Sequence, residues 1–213
     1  TLAAAGVYTE KGLPLVAISG LDPHFKPATA YEEWVFPVDP GAEHLGTALM
    51  GRAIERAPDR QVVVATDNRS APLAQALERA AADRGLVLTV VEAAREGWQQ
   101  DVLGYYPEVL IADLDPVSAG EVVALLGEGG WRGDVLGGPS LSAADFAAVA
   151  GGYAAGTLFL TPWPFPKDVG GGEAFAESYR EVSNGIEPGP LALPAFEATR
   201  LLLDALEEAV ATG

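Results

Sequence analysis

Two aspartates, Asp113 and Asp115, flank the end of one apolar run. Alternate side chains of an extended segment point to the same side. The pair could therefore hold Mg²⁺ or the ammonium group of a ligand. The competing reading is a solvated strand end, or a helix cap at Asp115-Pro116, and the residue types favour it. His24 and His44 are the only histidines. They lack the helical spacing of a paired zinc site, so a structural role is the better reading for both. The run Gly151-Gly152-Tyr153-Ala154-Ala155-Gly156 comes nearest to a dinucleotide fingerprint. It follows a helix-like stretch and precedes a strand-like one, the reverse of what phosphate binding at a helix amino end needs. Gly138-Pro139-Ser140-Leu141-Ser142 lacks the frame of a nucleophile elbow, and no Walker A lysine motif occurs. Trp34, Trp98 and Trp131 read as packing residues. Trp163 stands between two prolines at a strand end, where its ring could cover a ligand.

These residues need elements to position them. Five short apolar runs recur at 61–66, 87–91, 108–112, 134–136 and 157–160. Several are continuously apolar, as strands buried on both faces of a parallel sheet must be. Helix-like stretches separate them, at about 71–84, 97–103, 117–126 and 142–149. Strands alternating with helices predict βαβ units, hence an α/β fold with an open parallel sheet and helices on both faces. Ser70 or Asn68 is expected to cap the first of these helices, and Ser142-Ala143-Ala144-Asp145 to open the last as a capping box. Before the block, a helix ends near residue 10, a short strand occupies 13–18, and the proline-bearing stretch 21–37 reads as a connector. Asp39-Pro40 is expected to start a helix with Leu45, Leu49, Ala53 and Ile54 on its apolar stripe. After the block, two helices are expected at 173–183 and 194–211, the second turning Phe196, Leu203, Leu206 and Val210 inward.

Composition narrows the function. A net charge of −17 excludes a general binder of nucleic-acid backbone and disfavours anionic membranes. With no cysteine there is no disulfide framework, thiolate metal site or cysteine nucleophile. No cofactor is expected. The chain opens at Thr1 inside a helix-like stretch, so the expectation is that residues precede it.

The order of segments resembles the type I periplasmic solute-binding proteins, in particular the branched-chain amino-acid (Leu/Ile/Val) receptors of ABC transporters. The resemblance is carried by GLPLVAISGLDP, EEWVFPVDPGAEHLGTALMGRAIE, RQVVVATDNRSAPLAQALERAAADRGLVLT, PEVLIADLDPVSAGEVVALLGEGGW, GDVLGGPSLS, GYAAGTLFLTPWPF and ALPAFEATRLLLDALEEA. It implies two lobes of parallel α/β sheet joined by hinge crossings and closing on a small solute. Residues 41–160 would form lobe two, 1–20 and 173–213 parts of lobe one, and 21–40 with 161–172 the crossings. The family's first βα units of lobe one and its return to lobe two have no counterpart in this sequence, so the expectation is either a fragment or a reduced relative. The strand at 13–18 is then expected to find its sheet neighbour in an absent segment or a second copy, a homodimer through the incomplete lobe.

Carried over by position, solute contacts would come from Ser19, Gly20 and Asp22 in lobe one, from Arg69, Ser70, Asp115 and Ser140 in lobe two, and from Trp163 near the crossing. Arg69 could grip a carboxylate in a two-pronged fork. Asp115 could meet an ammonium group where the family uses an acid at the place of Ser140. The implied function is a non-catalytic, extracytoplasmic receptor for a small polar solute, amino acids among the candidates, that partners a membrane permease and binds no nucleic acid. Two other readings stand beside it: a regulatory or assembly module that kept the fold without a pocket, and a metal-dependent α/β enzyme built on Asp113 and Asp115.

Overall fold

A computed structural model describes residues 2–17, 34–37, 41–56, 61–161, 169–189 and 191–212. The chain divides into two compact units, one formed by 1–41 with 162–213 and the other by 42–161.

The 42–161 unit carries a five-stranded sheet. Its strands are β3 (Val62–Thr66), β4 (Thr89–Glu92), β5 (Val109–Asp113), β6 (Asp134–Gly137) and β7 (Leu158–Phe159). They lie in the order β4-β3-β5-β6-β7, and every pair is parallel. The helices of this unit are α2 (Gly41–Arg56), α3 (Pro72–Ala82), α4 (Trp98–Tyr105), α5 (Pro116–Glu128) and α6 (Ala144–Ala150). Strand periodicity sorts the core onto two faces. Val62, Val64, Val109, Ile111 and Leu136 pack with Leu49, Met50 and Ala53 of α2 and Leu77, Ala80 and Ala81 of α3. Val63, Ala65, Leu110, Ala112 and Val135 pack with Trp98 and Val102 of α4, Val122 and Leu126 of α5 and Phe146 of α6. Both faces are covered, which is why β3 and most of β5 read as unbroken apolar runs. Trp98 and Trp131 are buried, and the Trp131 indole donates to the Pro107 carbonyl.

Two capping expectations are corrected. Ala71 precedes α3 without a side-chain cap, and Pro72 opens the helix. Asn68 Oδ1 instead accepts from the Ser70 amide at 2.8 Å, so its side chain closes a local turn rather than the helix. Ala143, not Ser142, precedes α6. Ser142 sits in a 3-10 turn (Pro139–Ser142), where its hydroxyl donates to the Pro139 carbonyl at 2.7 Å.

The second unit holds α1 (Leu2–Glu10), β1 (Leu15–Ala17), β2 (Val35–Pro37), α7 (Gly172–Val182) and α8 (Ala192–Thr212). The stretch 21–37, expected as a connector, ends in a strand: β2 pairs in parallel with β1, Leu15 opposite Val35. The neighbour of the early strand is therefore found within the chain. Phe196, Leu203, Leu206 and Val210 of α8, expected to face inward, are exposed. Among the described residues the sheet of this unit has two strands, too few to cover a 21-residue helix. The Asp39-Pro40 helix start lies outside the described residues.

Candidate functional site

The sheet order of the 42–161 unit puts its topological switch between β3 and β5. From β3 the chain crosses to β4 on one side, and from β4 it returns to β5 on the other. At such a point the loops leaving the carboxyl ends of two neighbouring strands diverge, and a crevice opens between them. Here a cavity of about 420 Å³ lies against Thr66 to Asn68 after β3, Asp113 to Asp115 after β5 and Gly138 to Ser140 after β6. Ala71 and Leu73 complete its wall.

The rim is held by bonds between residues far apart in the chain. Thr66 is fully buried. Its hydroxyl accepts from the Asn68 amide (3.2 Å) and donates to Asp113 Oδ2 (3.0 Å). The Asp67 amide donates to the Asp113 carbonyl at 3.2 Å, and the Asp115 amide donates back to Asp67 Oδ2 at 2.8 Å. The β3 and β5 tips are thereby stitched in both directions. Asp115 Oδ1 then accepts from the Val117 and Ser118 amides at 2.9 and 3.1 Å. It caps α5 with Pro116 in the first turn, as the Asp-Pro pair suggests.

The two flanking carboxylates titrate in opposite directions. Burial pushes Asp113 up; the Thr66 hydroxyl pulls it down, and the charge of Asp67 adds to the rise. Asp115 is held below the ordinary aspartate range, first by the Ser118 hydroxyl and then by the amides of the cap.

Of the residues expected to contact a solute, Asp115 and Ser140 line the cavity. Arg69 is exposed on the turn after β3, and its guanidinium pairs with Glu78 of α3 at 2.7 Å. Ser70 is exposed beside it, its amide engaged by Asn68. Neither is among the residues that wall the cavity. Ser19, Gly20, Asp22 and Trp163 lie outside the described residues. The rim also includes Thr66, Asp67 and Asn68, which the positional carry-over passed over in favour of Arg69 and Ser70. The signal that could have found them is the polar run Thr66-Asp67-Asn68 that ends an all-apolar strand. The metal reading required a third ligand beside Asp113 and Asp115. Among the described residues no group of three carboxylate, imidazole or thiolate side chains is arranged to hold a metal ion.

The leucine-binding protein of Thermotoga maritima superposes with a TM-score of 0.80 at 22% identity, covering 98% of this chain and 61% of that one. An ABC transporter substrate-binding protein of Desulfitobacterium hafniense, in complex with Leu, gives 0.68 at 21% identity over 97% and 61%. An extracellular ligand-binding receptor of Rhodopseudomonas palustris gives 0.72 at 17% identity over 95% and 60%. The chain thus spans about three fifths of the length of each of these proteins. No curated protein matches it in sequence. The parallel sheet with helices on both faces is the fold of the type I binding proteins. The family model described as periplasmic binding protein matches residues 1–213, and the chain accordingly belongs to the periplasmic binding protein family.

Proposed function

We propose that this chain is the solute-binding component of an ABC transporter, working outside the cytoplasm and handing a small polar solute to a membrane permease. The observation that carries the reading is the cavity at the β3, β5 and β6 tips, placed at the switch point of a sheet in a chain of this family. Structural neighbours that bind leucine support amino acids as candidates. No described helix is long and apolar enough to cross a membrane, which agrees with a receptor that meets its permease at a surface.

In this reading the two units are the two lobes. The lobe of 42–161 contributes Asp115 and Ser140 together with the neighbouring Asp67, Asn68 and Asp113, and Arg69 and Ser70 frame its outer edge. Ser19, Gly20, Asp22 and Trp163 are proposed as further contacts on the family resemblance alone. The solute favours the closed arrangement by its higher affinity for it, and that difference is the whole driving force for closure. No group in the site is asked to do covalent chemistry. Saturable thermal stabilisation of the purified chain by at least one amino acid or small amine tests the proposal. A melting curve unmoved by every compound in such a panel would leave only the alternative, a module that kept the fold and lost its ligand. The exposed apolar residues of α8 are the observation that favours that alternative.

A further inference from the structure

We infer that α8 pairs with α8 of a second copy of this chain, antiparallel, as the centre of a two-fold dimer. The inference does not depend on the receptor reading. Phe196, Thr199, Leu203, Leu206 and Val210 recur at alternating steps of three and four. That is the spacing with which one helix receives another along a seam. At about 100° per residue they fall within a stripe roughly 80° wide. All five are exposed, Val210 by 84%. The buried residues of α8, Pro194 and Ala198, lie more than about 100° away around the helix. The seam is therefore not the face by which α8 packs on its own unit. Spacing alone does not choose the occupant; the flanks of the seam do. One flank holds Ala195, Leu202 and Ala209, the other Arg200 and Glu207. In an antiparallel pair like flanks meet, whereas in a parallel pair each charge would face an uncharged flank. Antiparallel pairing sets Arg200 against the partner's Glu207, and two-fold symmetry makes that contact twice. Within the chain Arg200 pairs with Glu197 on the surface, a contact worth at most about 1 kcal/mol and readily exchanged. The same register fills a hollow. It lays Val210 of one copy beside Phe196 of the other. Phe196 borders a cavity of about 690 Å³ whose wall includes Phe175, Tyr179 and Val182, and its ring tilts against Phe175 at 5.3 Å. The end of α8, exposed on every side from Leu203 to Ala211, thus meets the apolar hollow of the other copy.

Sedimentation equilibrium of the whole chain is the test. At about 0.15 M salt the repulsion between two acidic chains is largely screened beyond about 8 Å. Over a roughly hundredfold range of concentration the mass should rise from that of one chain to that of two. Leu203→Glu, at the centre of the seam, should leave a monomer. Leu201→Glu puts the same charge on the opposite side of α8, also at an exposed position, and should leave the dimer intact. Glu207→Arg should weaken the dimer about tenfold although it lowers the net negative charge, and adding Arg200→Glu should restore it. The chain has no cysteine, so a single introduced one reports on its own neighbour across the seam. Leu203→Cys should oxidise to a disulfide-linked dimer, and Val210→Cys should not. A monomer at every concentration would overturn the inference and leave the seam to a different chain. Equal dissociation by the Leu201 and Leu203 variants would overturn it too, as would equally ready linkage through positions 203 and 210, the mark of a parallel pair.

Discussion

Asp115 joins the candidate site to the scaffold, because the carboxylate that faces the cavity also caps α5. Removing a cap of this kind costs about 1 kcal/mol. Asp115→Ala should lower stability by that amount in urea unfolding near neutral pH, and Asp115→Asn should retain most of it. The sign of the pH dependence follows from the depressed titration of Asp115. Its contribution is fully present above the unfolded value and is lost as pH falls through the lower folded one. The difference between wild type and Asp115→Ala should therefore vanish in acid. Asp113 works the other way. Its folded value is raised, so the native state holds the proton longer and stability declines as pH rises from the unfolded to the folded value. Asp113→Asn, which keeps an acceptor for the Thr66 hydroxyl, should gain stability near neutral pH relative to wild type and lose that gain in acid. Both residues were legible as chemistry-bearing because two acids follow one apolar run. Their different duties were not, since Thr66 and Asp67, which hold them, lie 47 and 48 residues away.

At the scale of elements, α2 offers an internal control. A Cβ on Gly46 would stand 2.7 Å from the Ala76 Cβ and 3.0 Å from the Ala76 carbonyl carbon, so α2 and α3 touch there through the glycine. Gly51, on the same helix, has nothing within 4 Å of its added Cβ. Gly46→Ala should destabilise by about 1–3 kcal/mol, because backbone would have to move. Gly51→Ala should stabilise by about 0.5–1 kcal/mol, since alanine is the better helix former. Thermal melts of the two variants check both, and a shift of the same sign in each would refute the packing account. Helix and strand types were largely visible beforehand, because the apolar period switches between 2 and 3.6 along the chain. Caps were less so. Asn68 and Ser142 have the residue types of caps, yet both spend their side chains on turns one step earlier. That choice depends on backbone angles which neighbouring elements impose.

At the scale of the molecule the two units differ in how much core they own. The 42–161 unit carries both apolar clusters. In the other unit, the buried apolar side chains among the described residues are Ala17, Val35, Ala176 and Ala198. Local stability follows buried apolar contact. Amides of β3 and β5 should exchange with deuterium at least tenfold more slowly than those of α7 and α8, measured by mass spectrometry of peptides from the native chain. Equal protection would show that the second unit has a core that burial does not reveal. The apolar spacing of α8 led to the expectation that Phe196, Leu203, Leu206 and Val210 turn inward, and the structure overturns it. A pattern of spacing says nothing about what stands opposite, and Leu203, Leu206 and Val210 remain exposed.

Local chemistry was enough to specify the strands, the helices between them, the Asp-Pro start of α5 and the acidity of the rim, because each depends on residues within a few positions of one another. The order β4-β3-β5-β6-β7 is different in kind. It is a set of long-range pairings, and only those pairings bring residues 66–68, 113–115 and 138–140 to one crevice. Tertiary structure also decided which polar groups were left over for a ligand. A hydrogen bond between side chains some fifty positions apart exists only once the sheet that aligns them has formed.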